Sequence, residues 1–290
     1  MVDVPLSIGV LHSHAAPENA RPLTVEESQR IALEILDEFD AFCTSRGIPY
    51  YVIAGSLIGA LRSRDLLPWD DDIDVALKRE DYERFCREYA DSDKFMLYRY
   101  NRVENYRHGM AKLVRRGTLF VEPTSRDTPY GVFVDVFPLD AAPSIDDRAV
   151  ARLYRWVKIY NYAFVINAQA TRASKVKDAI RRMLRVSLGL LPYRWFISRL
   201  ERKMAAGRGD TLVNYWGAWA MKENASAESF ASATTVTIRG KQYPAPVGCD
   251  EWLTNVYGDY MSPPSGPTHY HGRAYLVQED GSTALPAEGS

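Results

Sequence analysis

Ala54-Gly55-Ser56-Leu57-Ile58-Gly59-Ala60-Leu61-Arg62, followed closely by Pro68-Trp69-Asp70-Asp71-Asp72-Ile73-Asp74-Val75, is the stretch from which the rest of this 290-residue chain is read. A small-residue turn leads into a short apolar helix, and Asp70, Asp71, Asp72 and Asp74 then crowd the mouth of a strand. Crowded carboxylates repel one another, and a cation offsets that cost. Asp72 to Leu77 alternates acid with apolar and then runs apolar, the pattern of a strand entering a core. On a strand, residues two apart share a face, so Asp72 and Asp74 project together with backbones about 6–7 Å apart. Such a pair suits a hard divalent ion that prefers oxygen ligands. Asp70 has the same parity but follows Pro68 and Trp69 in a loop, and Asp71 is expected to face away. Taken alone, an Asp-x-Asp is more readily an acidic, solvated turn.

A partner acid lies in Gly131-Val132-Phe133-Val134-Asp135-Val136-Phe137-Pro138-Leu139-Asp140. One Asp inside an apolar strand is costly to bury unless a cation or donor meets it. Asp135 is therefore the third candidate acid, as metal ligand or general base, and Asp140 after Pro138 is expected to cap a turn. Gly-Ser at a helix start, Asp-x-Asp on the next strand and an acid on a later strand together make a nucleotidyltransferase pattern. Gly55 allows close approach of backbone to phosphate, and Ser56 opens a helix whose free amides favour anions. Asp72, Asp74 and Asp135 would hold Mg²⁺ or Mn²⁺ on phosphate oxygens. Lys112, alone among Met110, Ala111, Leu113 and Val114, is expected to reach donor phosphate or to snorkel at a sheet edge.

A longer string, Gly55 to Arg62 and then Leu67 to Asp74, resembles the LicD family, which includes the fukutin-related proteins. Ala111 to Arg115 with Thr118, Val134 to Asp140, and Tyr257-Gly258-Asp259-Tyr260-Met261 with Pro263-Pro264 fit in the same order. The resemblance runs from about residue 31 to residue 271. It implies an α/β (α+β) enzyme, a nucleotidyltransferase-like mixed sheet flanked by helices. The implied activity moves a phospho-alcohol, such as phosphocholine or ribitol phosphate, from a CDP-linked donor to a hydroxyl of a glycan or glycolipid acceptor. Arg62 matches the family's Arg and is expected to hold phosphate or clamp the acidic loop; Arg115 has the character of Lys112. His269 and His271 resemble the family's His-containing end and join Asp70 as further candidates. Transfer of a nucleotide monophosphate to a small hydroxyl compound, or a non-catalytic assembly role, are the alternatives.

Organisation follows from pattern. Residues 1–22 read as a flexible tail, 23–145 as the catalytic core, 146–208 as a basic helical insert or cap, 209–272 as completing the core, and 273–290 as a tail. Thr24-Val25-Glu26-Glu27 is a capping box, and Gly47 ends the helix that carries Ile31, Ile35, Phe39 and Phe42 on one face. Strands are expected near residues 50–53, 72–77, 95–100, 109–115 and 132–137, with a helix over 80–89. Residues 147–206 read as three helices, broken near Ala170 and at Leu191-Pro192.

Net charge is −1 over the chain, yet residues 148–208 hold 15 Lys and Arg against only Asp178 and Glu201. That segment is expected to pack as a cap with its basic side in solvent, or to lie on an anionic membrane surface. No recognition motif accompanies the charge, which argues against nucleic acid. Cys43, Cys86 and Cys249 have no paired or metal-binding spacing and are expected as reduced thiols. The first basic residue is Arg21, and no apolar run reaches transmembrane length. The expected location is therefore cytoplasmic, either free or peripheral at the inner face of the membrane.

Overall fold

Thr24 opens the first long helix reciprocally: its hydroxyl accepts the Glu27 N–H at 3.1 Å, and the Glu27 carboxylate accepts the Thr24 N–H at 2.8 Å. The computed structural model describes residues 20–122, 130–144, 147–166, 175–263 and 272–277. Strand β1 (Ala20–Pro22) precedes this helix, α1 (Val25–Arg46), which ends at Gly47 in the left-handed conformation, φ 61°. There follow β2 (Tyr51–Val52), α2 (Ala54–Ser63), β3 (Asp74–Lys78), α3 (Arg79–Glu88), β4 (Phe95–Tyr98), β5 (Ala111–Arg115), β6 (Thr118–Val121) and β7 (Phe133–Ala142).

The central sheet has the order β2-β3-β7-β5-β4, with β3 and β7 parallel and the other neighbours antiparallel. Two short strands, β8 (Thr211–Val213) and β9 (Ala225–Ser226), extend it from the far end of β7. Helices α1 and α3 pack against this sheet, burying Ile31, Ile35, Phe39, Tyr82 and Phe85. The architecture is of the α/β class.

The basic segment forms α4 (Arg148–Tyr160), a π-helical turn (Asn161–Val165), α5 (Lys175–Leu188) and α6 (Tyr193–Ala205). The chain breaks between α5 and α6 at Leu191-Pro192 as expected, while the expected break at Ala170 lies outside the described residues. A hairpin of β10 (Ala233–Ile238) and β11 (Lys241–Pro246) turns through Arg239 and Gly240, both at positive φ, and leads to α7 (Cys249–Tyr257).

Three expectations are corrected. Residues 20–22 and 273–277 were read as parts of two tails. They are instead strands β1 and β12 (Arg273–Val277), in a sheet ordered β1-β12-β6. Backbone pairing holds them; only Ala274 of β12 is buried, so no hydrophobic alternation marks the strand. The Asp-x-Asp strand starts at Asp74, leaving Asp72 just ahead of it.

Asp140 caps no turn. It lies on β7, fully buried, where the Arg79 guanidinium donates Nε to one carboxylate oxygen at 2.7 Å and Nη2 to the other at 2.8 Å. The same Arg79 donates to Glu201 of α6 at 2.7 Å and to Glu83 at 3.1 Å, and Arg99 also donates to Glu83, at 2.6 Å. Trp216 Nε1 occupies the other Glu201 oxygen at 2.7 Å. These hydrogen-bonded pairs fasten the helical segment to the sheet. Burial pushes the Asp140 carboxyl up to about 6 despite the opposing pull of Arg79.

Candidate catalytic site

Sheet register brings the acids together. Asp74 of β3 lies directly beside Asp135 of β7, and Asp135 lies directly opposite Lys112 of β5. Directly paired residues point to the same face, so one row across three strands carries two acids and a lysine. Oxygen atoms of Asp72, Asp74 and Asp135 all lie within 4.8 Å of one another. Asp70, Asp71 and Asp72 form a second such group, so Asp72 joins the loop acids to the sheet acids. Asp71 does not face away as expected: it is buried and accepts the Gly272 N–H at 3.2 Å. A cleft of about 290 Å³ opens beside it, between the start of α1 and β12.

Local bonds hold these carboxylates in place. Ser56 is fully buried and its hydroxyl accepts the Asp74 N–H at 3.1 Å, which ties the start of α2 to the start of β3. No side chain caps the N-terminus of α2, so its first-turn amides keep the capacity to meet an anion. Gly55 answers a steric need beyond phosphate approach, since a Cβ there would collide with the Asp70 carboxylate. Gln29, buried on α1, donates to the carbonyls of Leu67 at 2.8 Å and Asp70 at 2.9 Å and so fixes the acidic loop.

Lys112 is neither at an edge nor snorkelling. It is 2% exposed, its ammonium donates to Asp135 Oδ1 at 2.6 Å, and it lies 3.4 Å from the centre of the Phe133 ring. Desolvation, followed by the charges of Asp72, Asp135 and Asp70, pushes the Asp74 carboxyl well above its usual range, with Lys112 opposing. At Asp74 the acids outweigh the lysine.

Two expected phosphate ligands stand elsewhere. Arg62 donates Nε to the Tyr260 carbonyl at 2.6 Å and Nη2 to the Ser262 carbonyl at 2.7 Å, so it clamps the chain after α7. Arg115 has the opposite strand parity to Lys112; it faces α1, 3.8 Å from Glu34, and does not join the acids. His269 and His271 lie outside the described residues.

Sequence reasoning missed Gln29 and Tyr257. Burial, and then the charges of Asp74, Glu223 and Asp70, push the Tyr257 hydroxyl upward. Trp219 packs edge-on against it at 5.5 Å and is itself half exposed. Tyr257 stands in the quoted motif, but only the fold shows what it adjoins. Gln29 carries no signal in one sequence beyond being, with Ser28, a polar residue on a largely apolar helix face.

Residues 47–168, which include Ser56, Asp72, Asp74, Lys112 and Asp135, match the family described as LicD/FKTN/FKRP, nucleotidyltransferase domain. Over 278 residues the chain is 28% identical to the lipopolysaccharide cholinephosphotransferase LicD of Haemophilus influenzae, covering 89% of this chain and 100% of that protein. A 62-residue stretch is 29% identical to an uncharacterised protein of Rickettsia typhi, covering 21% of this chain and 20% of the other.

Proposed function

Because the chain carries a LicD-family nucleotidyltransferase domain, we propose that it is a transferase of substituted phosphate groups. The reaction moves a phospho-alcohol, such as phosphocholine or ribitol phosphate, from a CDP-linked donor to a hydroxyl of a cell-surface glycan or its lipid-linked precursor. The Haemophilus influenzae relative is by name a lipopolysaccharide cholinephosphotransferase, which supports this class of donor and acceptor. The observation that carries the reading is the meeting of Asp72, Asp74 and Asp135 from a loop and two strands within 4.8 Å.

An all-carboxylate set with surplus negative charge at Asp74 fits Mg²⁺ or Mn²⁺, held by Asp72, Asp74 and Asp135. Bound there, such an ion supplies charge neutralisation at the donor diphosphate. The remaining work falls to the chain. The amides of the first turn of α2, from Gly55 and Ser56, orient phosphate oxygens, and Ser56 keeps Asp74 at the correct height. Lys112 holds Asp135 through Oδ1, so Oδ2 either completes the ion's ligand set or, where Asp72 and Asp74 alone hold the ion, takes the acceptor hydroxyl proton. The acceptor oxygen forms its bond to the phosphorus that bears the alcohol, and the bond from that phosphorus to CMP breaks. Trp219 and Tyr257 offer aromatic surface where a quaternary ammonium or a cytosine ring is favoured.

The test is to incubate the purified protein with Mg²⁺, a panel of CDP-alcohols including CDP-choline, CTP, and hydroxyl-bearing glycan acceptors. CMP released together with labelled acceptor is the expected result. Pyrophosphate released from CTP would instead assign nucleotidyl transfer, and no nucleotide product from any donor would overturn the reading.

A further inference from the structure

Helix α5 is turned against expectation. Its arginines Arg181 and Arg185 face the protein: Arg181 is 7% exposed and lies 5.0 Å from the Tyr162 ring centre, and Arg185 donates to the Ile166 carbonyl at 2.7 Å. Leu184 and Leu188 pack on the core beside them. Val176, Ile180, Met183 and Val186 occupy the other side and are 69%, 41%, 62% and 77% exposed. Leu190, just past the helix, is 90% exposed. At 100° per residue these side chains fall within one arc, so the apolar stripe of an amphipathic helix is presented outward. An exposed apolar stripe of this kind marks an interaction surface.

Charge indicates what covers it. Residues 148–208 hold 15 basic and 2 acidic residues, and Glu201, one of the two, is buried against Arg79. Arg182 flanks the stripe, and Arg194 and Arg199 are exposed on α6, where Arg199 lies 5.1 Å from the ring centre of the half-exposed Trp195. A second copy of this chain would set like charges face to face, which disfavours self-association through this surface. Exposed apolar side chains bordered by an exposed arginine, in a strongly basic segment, match the boundary of a lipid bilayer with anionic headgroups.

We infer that the α4–α6 segment docks on an anionic lipid surface, with the outward stripe of α5 buried at the headgroup boundary and the flanking arginines on lipid phosphate. Among the described residues no helix is long and apolar enough to cross a membrane. The inference stands apart from the phosphotransferase reading, because the binding it predicts requires no turnover.

The experiment is co-sedimentation of the full chain with vesicles of phosphatidylcholine alone or mixed with phosphatidylglycerol. Binding is expected only to the mixed vesicles and should weaken as salt rises. The double variant Met183→Asp/Val186→Asp should lower partitioning about tenfold or more while leaving thermal stability unchanged, since both side chains are exposed. Arg182→Glu/Arg199→Glu should also lower it and flatten the salt dependence. Absence of binding to the mixed vesicles, or equal binding by the Met183/Val186 double variant, would overturn the inference. So would a solution dimer abolished by that variant, because a second copy would then cover the stripe.

Discussion

Two ionic clusters sit five residues apart on the same strand, and they are built on opposite principles. Around Asp140, each charge has an opposite partner: Arg79 bridges Asp140, Glu201 and Glu83, and Arg99 also holds Glu83. Around Asp135, acids outweigh cations at Asp74, and Lys112 is the opposing charge. Strand alternation sends Asp135 to one face of β7 and Asp140 to the other. The cluster in which each of three acids meets a guanidinium joins elements to one another. The one at Asp74 keeps a repulsion that an added cation would relieve, which is why it is proposed as a site rather than a fastening.

The comparison can be broken most severely at Asp74. Asp74→Asn should cut turnover by about 10⁴-fold, equivalent to ~5 kcal/mol of transition-state stabilisation. Thermal stability without divalent metal should stay the same or rise by a few degrees, because repulsion at the acids is relieved. Steady-state kinetics and a melting curve on one sample give both numbers; loss of the fold would show that these acids are structural.

Arg79→Met should show the opposite pattern. Leaving Asp140 and Glu201 buried without their cation is expected to cost about 3–5 kcal/mol. That should lower the melting temperature by on the order of 10 °C, while the protein that remains folded keeps its specific activity. A stable but inactive Arg79→Met would reverse the roles assigned to the two clusters.

Metal titration sharpens the contrast. Saturating Mg²⁺ or Mn²⁺, at about a hundred times its dissociation constant, should stabilise the wild-type chain by ~2.7 kcal/mol. The same melting experiment should show a larger shift for Lys112→Met, where the acids have lost their lysine, and almost none for Asp74→Asn. Equal shifts in all three proteins would mean that the ion binds elsewhere.

The smallest effect is expected at the rim. Trp219→Ala should raise KM for a CDP-alcohol several-fold, about 1 kcal/mol, with kcat nearly unchanged. A fall in kcat alone would move Trp219 from donor binding to the reacting atoms.

Much of the scaffold was legible because it rests on local chemistry. The capping box at Thr24, the left-handed Gly47, the helix α3 and the break at Leu191-Pro192 all follow from nearest-neighbour preferences. Strands β1, β6 and β12 were not legible, because pairing between distant backbones holds them and their side chains are largely half-exposed. Among the candidate site residues, Asp72, Asp74 and Asp135 were identified by their type and spacing, since an acid inside an apolar strand stands out in any sequence. Arg62 and Arg115 looked equally suitable, yet one is occupied by carbonyl oxygens of the chain after α7 and the other points to α1.

The order of residues by itself marked which side chains are candidates for the chemistry and which segments are helical, because both depend on composition and short-range periodicity. Only the tertiary structure decided that Lys112 is held by Asp135, that Asp140 fastens the helical segment, and that α5 presents its apolar side outward. Those outcomes depend on register and on the face each element presents, and contacts between residues far apart in the chain select both.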